Sequence, residues 1–158
     1  MNEDIKDEAY DEKKRELIWN QYFPRVRLAV WINCIAAVVS YVILVILTPA
    51  FTTWLKPDHG HYIGIIFPFA IILTLINVIA VCRGKENTRM DIVFKLSLLE
   101  TLFTVITFLI FWSRSGGHLS LYEITGIRIM VMKSIISIVC CLGIYSGYRN
   151  LGANDTET

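Results

Sequence analysis

The sequence predicts an all-α protein, an integral membrane four-helix antiparallel bundle with short loops. Three observations carry that expectation: four apolar runs of about 21 residues with few or no charges, short connections between them, and a sided distribution of Lys and Arg. Of the 158 residues, 54% are hydrophobic, and the mean hydropathy is +0.52, which is high for a water-soluble domain of this length. Each run covers about 30 Å at 1.5 Å per residue, the thickness of a hydrocarbon core. In lipid every backbone N–H and C=O needs an internal partner, and the alternating pattern of a membrane barrel is absent, so continuous helices are the economical reading.

Residues 1–24 read as a charged cytoplasmic tail, with Lys6, Lys13, Lys14 and Arg15 set among seven acidic side chains. No small-residue cleavage site follows the first apolar run, so that run is expected to serve as an uncleaved targeting signal. Within the tail, Leu17, Ile18 and Tyr22 approximate one apolar stripe beside the basic run, which suits either a short interfacial helix or a solvated segment. Pro24 is expected to separate this tail from the first span, residues 28–48, which Pro49 ends. The second span covers residues 62–82, with Pro68 expected to kink or tighten its outer end. The third covers residues 92–112 and the fourth residues 127–148. Residues 25–149 therefore read as one four-span domain, and residues 150–158 as a short cytoplasmic tail.

Orientation follows from counting cations by side. Arg25 and Arg27 join the tail cations before the first span, Arg83, Lys85, Arg89 and Lys95 cluster about the second connection, and Arg149 follows the fourth span. Lys56, Arg114 and Arg128 fall on the opposite side. The positive-inside rule then puts both termini and the middle connection in the cytoplasm, and nothing in the sequence indicates which organelle. Asn154, Asp155 and Thr156 spell a glycosylation acceptor that this orientation keeps unmodified.

The informative residues are those that lipid should reject. Glu100 lies near the middle of the third span and Lys133 near the middle of the fourth, where a lone charge costs roughly 2.5 to 3.5 kcal/mol. In antiparallel helices they are offset along the axis by on the order of 9 Å, a gap that two long side chains can close, so an ion pair or shared hydrogen-bond network is expected. Helical periodicity places Ser97, Glu100, Thr101, Thr104 and Thr107 on one face of the third span, and Lys133, Ser137, Cys140, Gly143 and Gly147 on one face of the fourth. Gly143 and Gly147 have the spacing of small residues that lets helix backbones approach. Asn33 with Ala36, Ala37 and Ser40 marks the first span, and Asn77 with Ala70 and Thr74 the second. Asn33, Asn77 and Glu100 fall at similar depth, which suggests a polar layer joining three helices.

Two readings compete for that layer. One is structural, with buried hydrogen bonds fixing which helices pair and in what register. The other is transport or gating, in which Glu100 and Lys133 bind or relay an ion or proton.

Chemistry of other kinds finds little support. The chain has no Gly-rich phosphate loop, zinc-protease pair or nucleophile elbow, so no enzyme activity and no cofactor are expected. The near-neutral charge of +1 gives no footprint for nucleic acid. The four cysteines lie in or at the edge of apolar runs without metal-site spacing, so neither a disulfide framework nor a metal is expected. Cys82, beside Arg83 at the inner membrane edge, is a candidate for lipidation. His59, His61 and Asp58 in one outer loop, and His118 in the other, read as polar loop residues before they read as a metal or proton site.

In layout, four spans with internal termini and short loops, the chain is similar to MARVEL-type four-span proteins. That resemblance implies a membrane organiser or trafficking factor. The residues imply, more broadly, a non-enzymatic multi-pass protein, an accessory subunit among the options, whose partners are the lipid bilayer and other membrane proteins or further copies of itself. The alternative is a small oligomeric channel or ion-coupled transporter using Glu100 and Lys133.

Overall fold

The computed structural model of the protein describes residues 2–47, 61–83, 89–114 and 121–152. These form four helices: α1 (Asn2–Leu47), α2 (His61–Cys82), α3 (Met90–Arg114) and α4 (Leu121–Gly152). No strand occurs among the described residues. The helices pack as a ring in chain order, α1 against α2, α2 against α3, α3 against α4, and α4 back against α1. This leaves α1 opposite α3 and α2 opposite α4 across the bundle axis. Among the described residues, three helical segments are long and apolar enough to cross a membrane, Glu16–Leu44, Met90–Ile110 and Ile124–Leu151. In α2 the apolar segment Pro68–Cys82 is shorter, although the helix itself runs for 22 residues, or about 33 Å.

One expected boundary is missing. Helix α1 continues for 46 residues with Pro24 inside it, whereas the sequence places the end of the tail there. A proline ring fits helical φ and costs the helix one hydrogen bond and some crowding against the preceding turn, about 3 kcal/mol. Packing offsets that cost, because residues on both sides of Pro24 dock on the same surface. Ile18, Trp19 and Tyr22 before it, and Val26 and Val30 after it, belong to one apolar cluster with Val81, Met90, Val93, Ile144 and Leu151. Pro68 likewise lies inside α2. Pro49 falls outside the described residues.

The cross-section is inverted relative to a water-soluble bundle. Among the described residues the largest fully buried side chain is Lys133, at 1% exposure, and Glu100, Ser137, Ser97, Asn77 and Thr74 are buried with it. The outer surface carries Leu102, Leu109, Met132, Val139 and Leu142, each at least half exposed. Helical periodicity still sorts the residues, but the hydrophilic stripe faces in and the branched aliphatic stripe faces out. Two apolar clusters close the ends of the polar interior. The Val26 cluster lies at the end holding both termini, and Leu44, Ile127 and Met130, packed with Tyr41, Ile71 and Phe108, lie at the other. Aromatic contacts tie α3 to its neighbours, with Phe94 stacked on Tyr148 at 5.3 Å and Phe69 edge-on to Phe103 at 5.2 Å.

Candidate functional site

The polar interior is organised around Lys133. One helical turn separates Lys133 from Ser137 on α4, and 100° per residue points both toward the axis, where α1 and α3 present Asn33 and Glu100. Lys133 Nζ donates to Glu100 Oε1 at 2.7 Å, to Asn33 Oδ1 at 2.9 Å, and to Ser137 Oγ. Those three acceptors use all three protons of an ammonium group. The Glu100 carboxylate accepts hydrogen bonds on both of its oxygens. Its Oε2 accepts from Asn33 Nδ2 at 2.8 Å, and its Oε1 also accepts from Thr104 Oγ1 at 2.9 Å. Ser137 Oγ lies 3.2 Å from Asn33 Oδ1 and 3.4 Å from Glu100 Oε1, so its own proton has an acceptor in reach. Asn33 thereby joins α1 to both α3 and α4, and its bond to Glu100 spans the bundle diagonal.

A second polar group sits one turn along α3. Asn77 Nδ2 donates to Ser97 Oγ at 2.9 Å, linking α2 to α3. Asn77 Oδ1 is buried and has no hydrogen-bond partner. Thr101 Oγ1 donates to the Ser97 carbonyl at 2.8 Å and lies 3.4 Å from the Ser137 carbonyl, so α4 is reached through a backbone oxygen. Asn77 and Ser97 therefore form a unit of their own beside the charged one, and the polar interior is two linked groups where the sequence suggests one layer. Thr74 and Thr107 bond only within their own helices, to the Ile71 and Phe103 carbonyls.

Gly143 and Gly147 of α4 differ. A methyl group added at Gly147 would collide with Val26 Cγ2 of α1, whereas one added at Gly143 would meet Ala29 Cβ at 3.9 Å, an ordinary contact. Close backbone approach is therefore concentrated at Gly147. Cys82 is exposed at the end of α2, while Cys34, Cys140 and Cys141 are buried and free. Ser134, which the sequence does not single out, is buried and donates to the Met130 carbonyl at 2.8 Å. Its only signal is adjacency to Lys133, which periodicity discounts.

Among the described residues no group of three or more His, Cys, Asp or Glu side chains is placed to hold a metal ion. Asp58, His59, His118 and Asn154 lie outside the described residues, and His61 begins α2 without a described side chain. No protein-family model, characterised protein or solved structure matches the chain.

Proposed function

We propose that this is a multi-pass membrane protein that crosses the bilayer four times with both termini in the cytoplasm and acts without catalysis, through helix-helix and lipid contacts. Organiser, trafficking factor and accessory subunit are the roles that fit. One observation carries the reading: the bundle buries its charges and hydroxyls and presents Leu, Ile, Val and Met outward. Water would penalise that surface, and contiguous apolar area on this scale marks a membrane or partner interface. Hydrocarbon instead rewards it and makes the interior hydrogen bonds the groups that choose helix partners.

The charged group in the interior supports a structural role. An acid and a base of opposite sign leave no net charge to attract a solute, the ammonium has no proton without an acceptor, and apolar clusters close both ends. Transport is the rival reading, since buried ionisable groups in membrane spans often mark ion or proton paths. Proteoliposomes loaded with a pH-sensitive dye separate the two. The structural reading expects no proton or ion flux above protein-free vesicles, and a pH-dependent flux abolished by Glu100→Gln would overturn it. Resistance of the chain to alkaline extraction from membranes tests the embedding itself.

A further inference from the structure

We infer that the groove between α2 and α3 at their shared end binds an anionic phospholipid, with Arg83 and Arg89 on its phosphate and the helix walls on its acyl chain. The inference rests on the membrane reading above and adds a specific ligand to it. The groove has a volume of about 240 Å³. Ile76, Ile79 and Ala80 of α2 form one wall, and Ile92 and Leu96 of α3 form the other. Its mouth is framed by the two arginines, one directly after α2 and one directly before α3.

The order of these residues matches the order of groups in a lipid. From Ile76 to Arg83 is seven positions, about 10 Å along a helix, and over that distance the lining passes from aliphatic to cationic. A guanidinium presents a planar fork that matches phosphate oxygens, and its weak hydration suits an interface. Basic pockets between membrane helices on the cytoplasmic side are the setting in which anionic headgroups are held. Arg89 already leans on Asp91, at 3.4 Å across an exposed pair. Among the described residues, two arginines against Asp91 leave one positive charge at the mouth, and an exposed ion pair is weak enough for a phosphate to compete for Arg89. The ring-like packing opens this groove to the surrounding lipid, so a ligand can enter sideways from the bilayer.

The test uses the full chain in nanodiscs made of equal parts phosphatidylcholine and phosphatidylserine, with retained lipid counted by native mass spectrometry. The expected result is a phosphatidylserine preference of about fivefold, the effect of one net cationic charge near the membrane surface. Arg83→Gln with Arg89→Gln should remove the preference, each single change should reduce it, and Lys13→Gln with Lys14→Gln, which removes exposed charge elsewhere, should leave it intact. Circular dichroism checks that each variant is folded. Equal retention of the two lipids, a preference that survives the double arginine change, or displacement of the lipid by inorganic phosphate would each overturn the assignment. Release of the chain by alkaline carbonate would sink the membrane reading as a whole, whereas a chain that stays embedded without a lipid preference removes only the groove.

Discussion

Replacing Lys133 by methionine keeps most of the bulk of the side chain while removing the ammonium, and it should destabilise the bundle by about 3 to 5 kcal/mol. The magnitude follows from what remains. Glu100, fully buried, would keep three neutral donors, Asn33 Nδ2, Thr104 Oγ1 and the more distant Ser137 Oγ, and no cation. Its charge would lose a partner at 2.7 Å, an attraction of about 6 kcal/mol at an effective dielectric of 20. Glu100→Gln should cost a similar amount, because the ammonium would then face an amide. The double variant buries no charge, and its loss should fall at least about 2 kcal/mol short of the sum of the single losses. That figure discriminates, since ordinary side-chain hydrogen bonds between membrane helices couple by about 0.6 kcal/mol on average. Reversible unfolding in mixed micelles by dodecyl sulfate titration, followed by far-ultraviolet circular dichroism, measures all four corners of the cycle. Losses that add to within about 0.5 kcal/mol would refute the reasoning.

The same assay carries three further predictions. Gly147→Ala should cost about 1 to 3 kcal/mol through overpacking against Val26 and be partly rescued by Val26→Ala, whereas Gly143→Ala should be neutral or slightly stabilising. Thr104→Val should cost about 1 kcal/mol because its hydroxyl serves Glu100, and Thr107→Val, whose hydroxyl serves its own helix, should cost less. Asn33→Leu should cost at least about 1 kcal/mol more than Asn77→Leu, since Asn33 serves both charges and Asn77 keeps a single bond with its oxygen unpaired. By a different measurement, a membrane-impermeant maleimide should label Cys82 from the cytoplasmic side only, and leave Cys34, Cys140 and Cys141 unmodified until the bundle is unfolded.

Much of the fold is legible because, on the membrane reading proposed above, lipid simplifies the code. With hydrocarbon outside, the polar residue is the marked one, and a stripe such as Ser97, Glu100, Thr101, Thr104 and Thr107 points inward without further argument. The helix ends are less legible. Pro24 reads locally as a boundary, and only the docking of Trp19 and Tyr22 on Val26 and its neighbours shows why α1 runs through it. Within the polar interior, depth along the span places Glu100 near Lys133, but the position of each helix around the ring is not encoded in periodicity. Hence the diagonal bond from Asn33 to Glu100, and the separate pairing of Asn77 with Ser97, appear only when four helices are assembled. The α2–α3 groove is hidden for the same reason. Arg83 and Arg89 count only as topology signals until the packing of α2 against α3 brings them to the mouth of one apolar cleft.

The ring arrangement gives the charged cluster a task that the apolar contacts cannot perform. Aliphatic side chains gain little by turning from lipid to a neighbouring helix, so α1 could rotate or slide at small cost if Val26, Val30 and Leu44 alone held it. Asn33 removes that freedom, because a shift of one residue would carry it about 100° away from both Lys133 and Glu100. Each charge would then lose a hydrogen bond in a medium that offers no substitute. On the structural reading proposed above, the network acts as a register lock whose strength comes from the penalty of breaking it, more than from any net gain in forming it. On that same reading the neutrality of the cluster and the full use of the Lys133 ammonium have one origin: a lock needs its charges matched, while a transport site needs one left over.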